Sequence, residues 1–132
     1  MDTPEYASSG QGINTFVDFD LGTVAPVGGF DWIDRIAPPD RITAFDLILS
    51  PNSTFGDGDD IVKSYTNSGV ALGDAFSAVQ ARYIRFDVTA NSGAATANTG
   101  MSEIVFYQVP EPGSAALFAT AMLGAAIRRR RL

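Results

Sequence analysis

The sequence predicts an all-β fold, an antiparallel β-sandwich or jelly roll, followed by a hydrophobic α-helix at the C-terminus. Three observations indicate this fold class. Several short segments alternate apolar and polar residues, as half-buried strands do. Clusters of Gly, Pro and Asn separate these segments and mark turns. No segment before residue 109 shows the periodicity of a helix, so we expect packed antiparallel sheets.

Five segments have the pattern of a strand. In the first, from Phe16 to Leu21, apolar and acidic residues alternate, which predicts one buried and one solvated face. The others are residues 41–49, 61–65, 82–88 and 103–107. The predicted inward-facing residues are Val17, Phe19, Leu21, Phe45, Leu47, Leu49, Ile84, Phe86 and Val88. The apolar stretch 71–79 is interrupted by Gly73-Asp74, and the pattern assigns no element to it.

The chain length allows one domain and a tail. Residues 1–12 are small and polar, and we expect a disordered arm or the remnant of a lost element. Residues 13–108 are predicted to form a β-sandwich domain, and residues 109–132 the tail. The first 12 residues contain neither a basic region nor an apolar run, so they are not a signal peptide. We expect that the natural N-terminus is missing, or that the chain is a decayed fragment.

Charge and composition exclude several functions. Residues 1–108 carry five basic and fourteen acidic side chains, a net charge of −9, which repels nucleic acid. The chain has no Cys and no His, which removes disulfides, thiol nucleophiles, Ser-His-Asp triads and ordinary zinc sites.

Residues 23–40 contain Pro26, Gly28-Gly29 and Pro38-Pro39, and we expect them to be irregular. The same stretch holds Phe30 and Trp32, the only tryptophan. These two rings are either ligand-binding residues of a loop or a hydrophobic plug over one end of the sheet, and the plug is the more common arrangement.

The segment from Phe55 to Asp60 alternates Asp and Gly. Asp57, Asp59 and Asp60 offer the carboxylate ligands that Ca²⁺ prefers, which makes a structural calcium ion one interpretation. The EF-hand spacing is absent, and a plain solvated turn is the favoured alternative.

The tail combines a rigid spacer, an uncharged segment and a basic end. Pro110-Glu111-Pro112-Gly113 breaks the preceding strand, residues 114–127 carry no charge, and Arg128, Arg129, Arg130 and Arg131 follow. The 13 apolar residues 115–127 would form a helix of about 20 Å, short for a hydrocarbon core of about 30 Å. The order predicts a marginal membrane helix at 114–127, with the arginines as its stop.

Residues 109–132 resemble the PEP-CTERM sorting signal of Gram-negative bacteria, because the Pro-Glu-Pro triplet, the short helix and the terminal arginines follow in that order. The resemblance implies export, transient retention in the inner membrane and recognition by an exosortase, a membrane transpeptidase. The chain would be the substrate of that enzyme.

The body resembles a discoidin or coagulation-factor C-type domain, a galactose-binding-like jelly roll. The residues that carry the resemblance lie in segments 17–22, 45–50, 81–86 and 101–107. It implies binding of glycans or other extracellular surfaces, and often a structural calcium. Nothing before Thr15 supplies the first strands of such a domain, so the domain is expected to be N-terminally incomplete, with an exposed strand edge.

The leading hypothesis is an exported, non-enzymatic protein of the cell surface or extracellular matrix whose body binds polysaccharide. A truncated remnant without binding activity is one alternative. A glycan-active enzyme is another, with Asp18 and Asp20 or Asp59 and Asp60 as the paired carboxylates, and Asp18 and Asp20 share a strand face at about 7 Å. If strands 82–88 and 103–107 are neighbours, as in the resembled family, Arg85 and Glu103 could form an ion pair.

Overall fold

The computed structural model describes residues 6–35 and 41–110, and it confirms an all-β antiparallel architecture. The six strands are β1 (Tyr6–Ala7), β2 (Phe16–Asp34), β3 (Ile42–Ser50), β4 (Ile61–Thr66), β5 (Ala71–Asn91) and β6 (Gly100–Gln108). A short 3-10 turn, Gly12–Asn14, precedes β2. The strands are hydrogen-bonded in the order β1-β6-β2-β5-β3-β4.

The sheet folds over on itself and forms two layers. Val17 pairs with Phe86 across β2 and β5, whereas Trp32 lies 15 residues further along β2 and pairs with Leu72. Fifteen residues of flat strand would span about 50 Å. The rings of Trp32 and Phe86 nevertheless lie 6.1 Å apart, so β2 must turn back between them. The register shift between Asp20 and Ala25 marks the bend.

Each layer therefore contains half of both long strands. Layer 1 consists of β3, β4, residues 16–20 of β2 and residues 83–91 of β5. Layer 2 consists of β1, β6, residues 25–34 of β2 and residues 71–81 of β5.

The core fills the space between the layers. Phe45 of layer 1 lies 5.2 Å from Trp32 of layer 2, measured between ring centroids, and 4.4 Å from Phe86. All six inward-facing residues predicted in β3 and β5 are buried, while Val17, Phe19 and Leu21 pack against the core and are partly buried. The alternating pattern identified these faces correctly because burial on one side of a strand imposes a period of two residues.

The predicted irregular stretch is largely wrong. Residues 25–34 continue β2, which pairs with β5 from Ala25 and with β6 from Val27. Pro26 is tolerated because pairing with β6 begins only at Val27, so its missing N–H interrupts no ladder on that side. The unassigned stretch 71–79 belongs to β5. Residues 36–40 lie outside the described part of the chain.

Residues 6–12 are ordered against the body, which corrects the expectation of a disordered arm for this segment. Tyr6–Ala7 pairs with Gly100 and Met101 of β6. Beyond the strand, the N–H of Ser8 donates to the carbonyl oxygen of Thr99 at 2.9 Å, and the N–H of Gly12 to that of Ala97 at 2.9 Å.

The pairing of Arg85 with Glu103 is also wrong. The two strands that carry these residues are not neighbours, because β2 lies between β5 and β6. Arg85 instead donates two hydrogen bonds to Asp18 of β2, at 2.7 and 2.8 Å.

Residues 16–20 of β2 form one of the two edges of layer 1. Among the described strands, residues 16–20 of β2 pair only with β5. Beside this edge lies a cleft of about 390 Å³, lined by Tyr6, Val17, Phe19 and Ile104, among others. No helix within residues 6–35 and 41–110 is long and apolar enough to cross a membrane. The predicted helix at 114–127 lies outside the described residues.

Candidate functional site

The acidic loop between β3 and β4 brings its three predicted ligands together. One carboxylate oxygen from each of Asp57, Asp59 and Asp60 lies within 4.8 Å of the others. Gly56 and Gly58 have φ angles of 87° and 99°, a backbone conformation that favours glycine.

Hydrogen bonds hold the loop in shape. The Asn52 side-chain amide donates to Asp57 Oδ2 at 2.9 Å and to Asp59 Oδ2 at 2.8 Å. Hydrogen bonds with Asp59 and Asn52 lower the pKa of Asp57, while the Asp57 hydrogen bond raises the pKa of Asp59. Asp60 Oδ1 is buried and has no hydrogen-bond partner. Such a set of hard oxygen ligands fits a divalent cation such as Ca²⁺.

The two aromatic residues proposed as ligand-binding lie in the core. Phe30 and Trp32 are 0% exposed. Phe30 packs edge to face against Tyr65, with 4.9 Å between ring centroids. Their side chains therefore have no free face for a sugar, and they belong to the core between the layers rather than to a loop or to a plug over one end of the sheet.

A second cleft lies on the outer surface of layer 2 and has a volume of about 500 Å³. Its lining includes Gly29, Asp31, Gly73, Ala75 and Tyr107, and we call it the Asp31 cleft. Asp31 points outward because its neighbours Phe30 and Trp32 are buried on the inner face. Its pairing partners are Gly73 on β5 and Val105 on β6.

The Asp31 cleft contains a carboxylate that is hydrogen-bonded to a phenol, and Asp74 also lines it. The hydroxyl of Tyr107 donates a hydrogen bond to Asp31 Oδ2. This bond raises the pKa of Tyr107, since ionisation would place a phenolate against the carboxylate. The Tyr107 side chain is 47% exposed. A Cβ atom at position 73 would overlap Asp31 Oδ1, so the carboxylate lies directly over Gly73.

A second tyrosine–aspartate pair lies near the cleft. The Tyr65 hydroxyl donates to Asp74 Oδ2 at 2.8 Å. Burial is the main cause that raises the pKa of Tyr65, and Asp74 adds to it.

No sequence pattern marked the Asp31 cleft, because Tyr107 and Asp31 are 76 residues apart. The alternation in 103–107 does place Tyr107 on the face opposite Ile104 and Phe106. That signal indicates an outward tyrosine, but it does not identify the partner.

The carboxylates of the enzymatic alternative are engaged in ion pairs. Asp18 accepts two hydrogen bonds from Arg85, and Asp20 accepts two from Arg82, at 2.8 and 3.0 Å. The Arg82 hydrogen bonds lower the pKa of Asp20, which is the opposite of what a general acid needs. Bidentate pairing of both groups is typical of structural salt bridges.

The sorting tail leaves the body at the end of β6. The N–H of Val109 donates to the carbonyl oxygen of Pro26 at 2.8 Å, and the Val109 side chain covers Gly28. Pro110 is the last described residue. The remaining predicted sorting residues, Glu111, Pro112, Gly113 and the four arginines from Arg128 to Arg131, lie outside the described part.

Comparison with protein families covers nearly the whole chain. The model of a domain of unknown function, DUF7402, matches residues 1–107. The chain belongs to the DUF7402 family. Residues 108–131 of this DUF7402 protein match the PEP-CTERM protein-sorting motif, which confirms the resemblance of the tail. A comparison with curated proteins gave no match.

Solved structures share the fold of this DUF7402 domain. Chitosan-binding module 1 of a chitosanase/glucanase from Paenibacillus sp. IK-5 has a TM-score of 0.64 and 18% identity, over 81% of this chain and 78% of the module. A Streptococcus pneumoniae fucose binding module has a TM-score of 0.58 and 20% identity, over 75% of this chain and 67% of the module.

The lectin domain of lectinolysin, complexed with Lewis B antigen, gives a TM-score of 0.56 and 18% identity, over 72% of this chain and 65% of that domain. The chain thus spans about two thirds of the lectinolysin and fucose-binding domains. This shared fold confirms the fold that the discoidin-type resemblance implies for the body. At such identities, the likeness shows the fold.

Proposed function

We propose that this DUF7402 protein is an exported, non-enzymatic glycan-binding protein of a Gram-negative bacterium. An exosortase recognises its tail, the inner membrane holds it transiently, and the body is then delivered to the cell surface or extracellular matrix. The proposal rests on one observation: the same chain has a PEP-CTERM motif and a fold shared with carbohydrate-binding modules.

The remnant alternative receives less support. The described strands enclose a continuous core of twelve buried residues, in which Trp32, Phe45 and Phe86 pack ring against ring. A core of this kind is what a cooperatively folding domain requires.

Glycan binding can be tested with the purified full-length chain in detergent. We expect at least one oligosaccharide of a panel to bind with a measurable heat in titration calorimetry and to raise the melting temperature. Trp32 fluorescence is a poor readout, because the indole is buried away from any ligand. The absence of binding across the panel by a folded sample contradicts the proposed function, and turnover of a bound glycan contradicts the non-enzymatic assignment.

Sorting can be tested in a host that expresses an exosortase. Replacement of Pro110, Glu111 and Pro112 by alanine should leave the protein unprocessed in the inner membrane. The same host without exosortase provides the reference band for the unprocessed chain. If the variant is processed like the wild type, the triplet is not the recognition element.

We further propose that Asp57, Asp59 and Asp60 bind a structural Ca²⁺. The support is the approach of three carboxylates within 4.8 Å and the buried, unpartnered Asp60 Oδ1. Calcium should raise the melting temperature of the full-length chain, and Asp60→Asn should weaken calcium binding at least tenfold, whereas Asp46→Asn should not. If calcium has no effect on the wild type, the loop is the plain turn.

A further inference from the structure

We infer that the Asp31 cleft binds glycans that carry free amino groups, such as oligomers of glucosamine. This inference rests on the proposed glycan binding and adds both the place and the ligand class. It follows from the distribution of charge, from the shape of the cleft and from its one exposed ring.

The outer surface of layer 2 carries unpaired negative charge. Asp31 and Glu103 both lie on this surface, and within the described residues neither has a cationic side chain within 4 Å. On the outer surface of layer 1, Asp18 and Asp20 form ion pairs with Arg85 and Arg82, while Asp46 and Asp87 lie opposite each other on neighbouring strands. Within the described residues, the Asp31 cleft therefore contains a carboxylate that forms no ion pair.

The net charge of the whole body also favours a positively charged glycan. A net charge of −9 over residues 1–108 attracts ammonium groups and repels uronates and sulfates. An acidic polysaccharide would bring like charges together over Asp31, whereas a polymer of amino sugars would bring opposite charges.

The shape of the cleft suits a flat ring. Gly29 and Ala75 line the cleft beside the Asp31 carboxylate, which itself covers Gly73, and neither residue carries a bulky side chain that would keep a ligand away from the sheet. Tyr107 also lines the cleft, with half of its surface exposed, and Val105 next to it is 39% exposed. The apolar face of a pyranose ring can pack on such an aromatic and aliphatic wall.

The amino group of the sugar is expected to contribute to binding through a hydrogen bond to Asp31. The Tyr107 hydroxyl occupies Asp31 Oδ2 and fixes the carboxylate over Gly73, which leaves the other lone pairs of the carboxylate to a ligand. A sugar ammonium group would donate a charge-assisted hydrogen bond to it. An N-acetylated sugar carries no such charge and loses this contribution.

The test uses the full-length chain in detergent and three trisaccharide probes: glucosamine, N-acetylglucosamine and a uronic acid. We expect the glucosamine trimer to bind roughly tenfold tighter than its acetylated form, since a hydrogen bond to a charged group contributes about that factor. Asp31→Asn keeps an acceptor for Tyr107 but removes the charge. It should weaken binding of the glucosamine trimer about tenfold and leave the acetylated trimer nearly unchanged.

Asp46→Asn is the matched control, because it removes one charge from the other layer and should not change either affinity. Melting temperatures of both variants establish that they are folded. Equal affinities of wild type and Asp31→Asn for the glucosamine trimer, or a preference for the uronic acid trimer, overturn the inference. In either case the binding of some glycan would leave the proposed function standing, whereas binding of none by the wild type would overturn both.

Discussion

Asp34, the last residue of β2, is a buried carboxyl whose ionisation should make the stability of the fold depend on pH. Its side chain is 1% exposed, and Oδ2 has no hydrogen-bond partner. Burial raises its pKa from the usual 3.8 to about 6, although N–H groups of Arg35 and Ile42 and the charges of Arg41 and Arg35 oppose the shift. The folded state therefore holds this proton more tightly than the unfolded chain does.

The change in unfolding free energy with pH follows from the linkage between proton binding at Asp34 and folding. Between pH 3.8 and about 6 the folded state binds more protons at Asp34 than the unfolded state, so stability falls as the pH rises. Above about 6 both states are ionised and the loss is complete. At 1.36 kcal/mol for each pKa unit, the loss from Asp34 between pH 4 and pH 7 is about 2 to 3 kcal/mol.

The assay is urea unfolding of the wild type and of Asp34→Asn at several values between pH 4 and pH 7. Asparagine keeps the carbonyl acceptor for the Arg35 N–H but cannot ionise. The difference in unfolding free energy between the two proteins should change by about 2 to 3 kcal/mol over this range, with the variant gaining as the pH rises. Glu103→Gln, on the exposed surface of β6, controls for the loss of one negative charge. A difference that stays constant with pH refutes the reasoning.

Three further predictions concern the described contacts. A double-mutant cycle between Asp18 and Arg85, measured by urea unfolding, should give a coupling free energy of at most about 1 kcal/mol. The reason is that both side chains are partly exposed, at 42% and 28%. A coupling above about 2 kcal/mol would contradict this. Phe45→Ala should lower the unfolding free energy by about 3 to 5 kcal/mol, since the ring is buried among other rings, and a loss below about 1 would show that the core collapses around it. Gly28→Ala should displace Val109 and speed hydrogen exchange of its amide, whereas unchanged exchange would show that the contact is not maintained in solution.

The strands with one buried face could be predicted from the sequence. Phe45, Leu47 and Leu49 alternate with polar or half-buried neighbours, and the period of two survives because β3 has a core on one side only. The second half of β2 could not be predicted in this way. Gly28-Gly29 and Pro26 resemble a loop, and the strand there exists because β5 and β6 pair with it from both sides.

The sequence could not predict which residues of neighbouring strands contact each other. The sequence shows that Arg85 lies on a polar face, but not that β2 rather than β6 runs beside β5, so Asp18 was missed as its partner. The Asp31 cleft was missed for the same reason, since its glycines and its tyrosine come from three strands. The acidic loop was found because its three carboxylates are close in sequence as well as in space.

The position of β6 in the sheet bears on how the protein can be exported. This strand, the last of the body, lies between β1 and β2, so the sheet remains split until Gln108 is in place. The sorting motif begins at residue 108, so the last strand of the fold leads directly into the motif. A chain that crosses the membrane from its N-terminus must therefore arrive there with layer 2 still open. Completion of the fold and presentation of the sorting motif therefore depend on the same event, the pairing of β6.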